Sequence, residues 1–212
     1  MDKITAIRNK GALVMIAGRP GMGKTSFALD VAKQMALNKN ENIVMISLEM
    51  LKEQIIARLQ RKTGGHTEYN NIFIFDNSKL SVKDIEALCQ KTENLGAVII
   101  DCFQLIQPLE ESVSRELKCM ALRLKVPVIC TSQVSPACEE REDKRPTLRD
   151  LHRGIDIDAD QIFFVYRDRY YNPETPVGDR AECMIKRNKH GTCRTVNLMW
   201  DPQRLQFSAA DE

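Results

Sequence analysis

Gly18-Arg19-Pro20-Gly21-Met22-Gly23-Lys24-Thr25 fits the pattern G-x-x-x-x-G-K-[ST]. Its flanks make it decisive. The apolar run Leu13–Ala17 comes immediately before it, and a helical pattern over Thr25–Leu37 follows, with Phe27, Val31 and Met35 on one side. A strand, a glycine-bearing loop and a helix in that order form a phosphate cradle. Glycines let the backbone wrap an anion with its N–H groups, and the helix N-terminus adds the positive end of a dipole. In such a cradle Lys24 reaches the β- and γ-phosphates and the Thr25 hydroxyl ligates Mg²⁺. Gly18, Arg19, Pro20, Gly21, Met22, Gly23, Lys24, Thr25 and the adjoining Ser26 are therefore the nucleotide-binding candidates. The plain alternative is a glycine-rich turn that merely joins a strand to a helix.

Outward from this loop, short apolar runs recur at Ile43–Leu48, Ile72–Phe75, Ala97–Ile100, Val126–Cys130, Ile162–Tyr166, Cys183–Ile185 and Val196–Trp200. Continuous rather than alternating hydrophobicity predicts strands buried on both faces. Counting Leu13–Ala17 as the first, helical patterns separate the first five runs: Thr25–Leu37, Lys52–Arg61, Ser81–Leu95 with a Ser/Asp84 start signal, and Arg115–Lys125. Alternation of this kind predicts an α/β fold with a mostly parallel, twisted sheet flanked by helices. The last strands lie close together, as in an antiparallel hairpin or meander. Residues 135–160 are polar, charged and proline-bearing, which predicts a functional or mobile loop region.

The 212 residues suit one domain with a sizeable core. A net charge of +2 neither demands nor excludes a nucleic-acid partner. Seven cysteines, an odd number without a C-x-x-C pair, suit a reducing cytoplasm better than a disulfide framework. The three histidines lack metal-ligand spacing, which argues against a zinc site. No stretch has the length of a membrane span and no signal-peptide apolar region opens the chain, so a cytoplasmic, membrane-independent protein is expected.

Three further motifs end on polar groups. Val98-Ile99-Ile100-Asp101 is an apolar strand closing on an acid, the Walker B form, in which the carboxylate holds Mg²⁺ through water. Glu49 of Ser47-Leu48-Glu49-Met50 follows the second strand and either polarises the attacking water or caps the helix near Lys52. Gln133 of Thr131-Ser132-Gln133 either senses a γ-phosphate or simply caps its strand.

Together these pieces resemble the motor domain of the DnaB-type replicative helicases. Ser47–Met50 with Glu53-Gln54-Ile55, Asp101 with Gln104-Leu105, Val126-Pro127-Val128, Asp143-Lys144-Arg145-Pro146, Asp158-Ala159-Asp160 and Tyr166-Arg167-Asp168 extend the resemblance from Gly11 to Phe207. It implies a RecA-like fold, ATP hydrolysis with Mg²⁺, a hexameric ring and movement along single-stranded DNA. It also implies catalysis by Glu49, phosphate and metal contacts by Lys24 and Thr25, the Walker B role for Asp101, and γ-phosphate sensing by Gln133. A basic pair that acts on the neighbouring subunit's site corresponds to Arg187 and Lys189, with the two residue types exchanged relative to the family's Lys-x-Arg.

Several features depart from the family. Met1–Lys10 stands as a remnant of the linker that grips the next subunit, and the connection between Gln60 and Asn71 is short. The loops after Ile106 and around Gly154–Asp158 are trimmed. Candidate DNA contacts are Arg141, Lys144, Arg145, Arg149 and Arg153, although Glu139, Glu140, Glu142 and Asp143 interleave with them. Two functional classes follow: an ATP-driven motor on single-stranded DNA, or a nucleotide-dependent regulatory module linked to replication or a mobile element. A small-molecule P-loop kinase fits fewer of the motifs.

Overall fold

A computed structural model describes residue 7 and residues 9–37, 40–63, 69–110 and 112–210. Residues 1–6 and 8 of the expected linker remnant, and 64–68 of the short connection, lie outside the described residues. The elements in chain order are β1 (Leu13–Gly18), α1 (Lys24–Ala36), β2 (Asn42–Ser47), α2 (Lys52–Thr63), β3 (Ile72–Phe75), α3 (Val82–Gln90) and β4 (Leu95–Asp101). Then come α4 (Val113–Leu124), β5 (Val128–Gln133), the short α5 (Ile155–Asp158), β6 (Gln161–Tyr166), β7 (Arg180–Asn188), β8 (Arg194–Asp201) and β9 (Gln206–Ala209).

These strands form one sheet in the order β3-β2-β4-β5-β1-β6-β7-β8-β9. It is parallel from β3 across to β6 and antiparallel from β6 to β9. The expected hairpin is β7 and β8, and β9 extends it. Only Phe207 of β9 is buried, so one apolar residue is all that marks this strand in the sequence.

Both faces of the parallel part are covered, which explains the continuous apolar runs. Along β1, Leu13, Met15 and Ala17 pack with α3 and α4, whereas Val14 and Ile16 pack with α1 and α2. Each such fully buried Leu or Ile contributes about 1.5–3 kcal/mol relative to exposure. The Ser81/Asp84 start of α3 is a capping box: Ser81 Oγ accepts from the Asp84 N–H, and the Asp84 carboxylate accepts from the Ser81 N–H at 2.9 Å. The same helix was expected to reach Leu95 but stops at Gln90. Asn94 turns left-handed (φ 47°) and its carbonyl accepts from Asn42 N, which starts Leu95 along β4.

Residues 135–160 are arranged by ion pairs instead of apolar periodicity. Arg141 holds Asp150 through two bonds of 2.9 and 2.7 Å. Asp158 accepts from Ser114 at 2.7 Å, and Asp160 takes both Lys118 and Lys189. The seven cysteines are free. Among the described residues no helix is long and apolar enough to cross a membrane.

Candidate functional site

Parallel pairing brings the C-terminal tips of β1, β2, β4 and β5 to one edge of the sheet, where ligands of open α/β sheets bind. Gly18 lies opposite Gln133, and Ser47 lies opposite Asp101. The phosphate loop follows β1 directly. Gly23 begins α1 with φ 94°, and a Cβ there would sit 2.8 Å from the Phe207 ring; only glycine fits both constraints. At Gly18 a Cβ would meet the Val165 carbonyl at 2.8 Å. Lys24 donates to the Arg19 carbonyl across 3.1 Å, curling its ammonium over the loop. Burial lowers the Lys24 pKa from the usual lysine value, and Asp101 partly opposes this.

The Thr25 hydroxyl donates to Asp101 Oδ2 at 2.8 Å, and the Thr131 hydroxyl donates to Asp101 Oδ1. Thr131 is fully buried, so the Thr25 hydroxyl and the Asp101 carboxylate are the oxygen pair that converges beside the loop. Mg²⁺ takes hard oxygen ligands, keeps several waters and uses only one or two carboxylates beside substrate phosphates, so this sparse oxygen pair fits it.

A cleft of about 470 Å³ opens here, lined among others by Lys24, Thr25, Glu49, Asp101 and Gln133. Its size is typical of a small-molecule site. Glu49 is exposed in the short link between β2 and α2. The first N–H groups of α2 are satisfied by other residues: Leu51 N by Gln54 Oε1 at 3.0 Å and Lys52 N by Asp76 Oδ2 at 2.9 Å. The helix-cap alternative for Glu49 thus has no bond to support it. Gln133 is steadied by Gln104, whose amide accepts from Gln133 N at 3.1 Å and donates to Gln133 O at 3.0 Å.

The sequence motifs gave no role to the rest of the wall, which includes Arg58, Arg167, Trp200, Pro202 and Leu205, although Arg167 stands in one of the family-like strings. Arg167 stacks 4.5 Å over the Trp200 ring and donates to the Gly21 carbonyl at 3.1 Å. Its burial lowers its pKa. Behind this wall, Lys62 and Asp30 pair at 2.8 Å with both side chains fully buried. Lys62 also donates to the Leu205 carbonyl, and Asp30 accepts from Phe207 N at 2.9 Å. The pair fixes the β8–β9 turn against α1 and α2.

The other predicted residues lie elsewhere. Arg187 pairs with Ile162 near the start of β6, at the end of the sheet remote from the phosphate loop. Arg187 donates to the Asp156 carbonyl at 2.5 Å, and Lys189 donates to Asp160 at 3.0 Å. Neither lines the nucleotide cleft. Of the five candidate DNA contacts, three spend their charge internally: Arg141 on Asp150, Lys144 on the Glu139 carbonyl, and Arg145 on Glu182 and Asp143. Arg149 shares a separate hollow with Arg141 and Lys186, while Arg153 lies beside His152 before α5.

The sequence matches the family model described as DnaB-like helicase C terminal domain in two segments, 1–65 and 61–209. It is 33% identical to the replicative DNA helicase DnaB of Geobacillus stearothermophilus and 35% identical to the replicative DNA helicase DnaC of Bacillus subtilis. Each alignment takes in 98% of this chain and 54% of the relative. A probable plasmid replicative DNA helicase of Chlamydia psittaci is 32% identical over the whole chain. The chain thus spans about half the length of the curated relatives it matches. The Geobacillus alignment covers 246 positions against 212 residues here, so the relative carries residues with no counterpart in this chain. Among solved structures, one described as an ATPase domain superposes with a TM-score of 0.88 at 33% identity, covering 96% of this chain and 86% of that one. A DnaB-like replicative helicase, solved in a study of its interactions with primase, superposes at 0.89 and 33% identity, covering 96% and 58%.

Proposed function

The chain belongs to the DnaB-like helicase C-terminal domain family, and on that premise we propose that it is an ATP-hydrolysing motor domain acting on single-stranded DNA. The observation that carries this is the meeting of Thr25 and Asp101 at 2.8 Å within one cleft that also holds Lys24, Glu49 and Gln133. Those groups comprise what phosphoryl transfer needs: a cradle, an oxygen pair for Mg²⁺, a carboxylate to orient and deprotonate water, and an amide to register the γ-phosphate. Mg²⁺ held by Thr25 and Asp101 would neutralise charge on the β- and γ-phosphates. Lys24 holds those phosphates, Glu49 takes the proton of the attacking water, and Gln104 keeps Gln133 in place.

Arg187 and Lys189, which lie at the sheet end opposite their own cradle, are the residues the resemblance assigns to a neighbouring subunit's site. The ring this requires is a hexamer by resemblance. Single-stranded DNA would meet the segment bearing Arg141, Lys144, Arg145, Arg149 and Arg153 through sequence-independent phosphate contacts, the first three exchanging internal partners for phosphates. Free cysteines and a cytoplasmic nucleotide supply suit the same reading.

The test is ATP hydrolysis by the purified chain with and without single-stranded DNA, with Lys24→Ala as control and oligomeric state recorded in the same samples. DNA-stimulated hydrolysis by a ring-sized species is expected. Slow, DNA-insensitive hydrolysis by a monomer would replace the motor with a nucleotide-dependent regulatory module.

A further inference from the structure

Arg19 belongs to the phosphate loop, yet its guanidinium is turned onto the segment after Gln133. Nη1 donates to the Val134 carbonyl at 3.1 Å, and Nη2 donates to Glu139 Oε2 at 3.2 Å. Nε lies 3.1 Å from Glu139 Oε1, in ion-pair contact but off the hydrogen-bonding axis. Glu139 is engaged from the far side as well. The Tyr171 hydroxyl donates to its Oε1 at 2.7 Å, and Lys144 donates to its carbonyl at 3.0 Å while lying 5.5 Å over the Tyr171 ring.

The main chain of Arg19 has partners of its own within the loop. Its carbonyl accepts from Lys24 Nζ, the ammonium that a bound phosphate would claim. One residue therefore touches the phosphate-binding lysine with its main chain and the polar segment with its side chain. A ligand shifts a conformation only through contacts that differ between the two states. The Lys24–Arg19 bond is such a contact, because Lys24 must turn from the carbonyl to the phosphate.

We propose that Arg19 is a positioning residue that transmits occupancy of the phosphate loop to residues 134–145 through Glu139. Lys144 and Arg145, two of the cations proposed to meet DNA, lie within that segment. The link runs through a side chain of the phosphate loop itself, beside the γ-phosphate contact proposed for Gln133, whose neighbour Val134 it also touches. It rests on the nucleotide reading above.

The test is amide hydrogen exchange across residues 136–145 in the wild type, Glu139→Gln and Arg19→Lys, with and without Mg²⁺ and a non-hydrolysable ATP analogue. Binding of a fluorescent ATP analogue is measured separately for each. In the wild type, nucleotide is expected to change exchange of this segment several-fold. Glu139→Gln should bind nucleotide with Kd within about threefold of wild type yet lose most of that response. Arg19→Lys retains one charge contact and should respond partially. A full response in Glu139→Gln overturns the proposal, as does a wild type that binds the analogue without any change at 136–145. A wild type that fails to bind at all overturns the nucleotide reading together with this one.

Discussion

Lys62 and Asp30 meet at 2.8 Å with no solvent exposure on either side chain, and between them they hold the backbone on both sides of Gln206, at Leu205 and Phe207. Burial works against both charges, lowering the lysine pKa and raising the carboxyl pKa, so each ion depends on the other. Removing one partner leaves a buried charge uncompensated. Lys62→Met is expected to cost about 3–5 kcal/mol of stability. Adding Asp30→Asn should recover part of that loss, because no unpaired ion remains. Denaturant unfolding measures both, and a single-variant loss below about 1 kcal/mol would contradict this role.

Lys24 gives a pH prediction. Burial holds its folded-state pKa below the unfolded lysine value of 10.5, so its charge disfavours folding. The penalty is full below the folded pKa and vanishes above the unfolded one. Lys24→Met should therefore unfold no earlier than wild type while losing nucleotide affinity. Phosphate restores the ammonium, so nucleotide binding should take up protons at pH 9 more than at pH 7. Calorimetry in buffers of different ionisation enthalpy reads this directly, and equal uptake at both values would refute it.

Glu49→Gln separates chemistry from folding. Gln54 and Asp76, not Glu49, satisfy the first N–H groups of α2, so stability should stay within about 0.5 kcal/mol. Nucleotide affinity should persist while turnover drops about 10²–10⁴-fold, the range for loss of a general base. Turnover within a factor of two of wild type would remove Glu49 from the mechanism.

Acid should loosen residues 135–160 before the sheet. Arg141 holds the Asp150 carboxyl below its ordinary range, Arg19 and Tyr171 do the same for Glu139, and at Asp160 burial is outweighed by Lys118, the Leu13 N–H and Lys189. Groups depressed in this way stabilise the fold fully above the ordinary carboxylate values. They lose that contribution as pH falls through those values toward the folded ones. Limited proteolysis between pH 5 and pH 3 should cut this segment first. Asp150→Asn should already show increased cutting at pH 7.

The contiguous parts of the site were legible in sequence because their chemistry is local. Gly18 to Thr25 announces its own conformation, and an apolar strand ending in Asp101 announces a strand tip. The order of strands and helices followed from runs buried on both faces. Arg58, Trp200 and Leu205 gave no comparable signal, and Arg167 stood in a family-like string without a role attached. Arg58 arrives on α2 and Arg167 at the tip of β6, whereas Trp200 and Leu205 reach the cleft through antiparallel pairing and the buried Lys62–Asp30 contact, and nothing in local composition specifies that a lysine will pair inside a core. The polar segment gave none either, since Arg141–Asp150 and Lys118–Asp160 do there what apolar periodicity does elsewhere. Glu49 remained ambiguous because its competing role depended on Asp76, 27 positions along the chain.

The β8–β9 turn also sets an order of events during synthesis. The Asp30 contact to Phe207 N joins residues 177 apart in sequence. A ribosome releases the phosphate loop and α1 long before it makes the turn that completes the cleft. Until Leu205 and Phe207 emerge, Lys62 and Asp30 lack their backbone partners and the Trp200 side of the cleft does not exist. The phosphate loop and Asp101 are made well before that turn, so contacts to the phosphates can precede it, but those to the Trp200 side of the cleft come only after residue 207 has emerged.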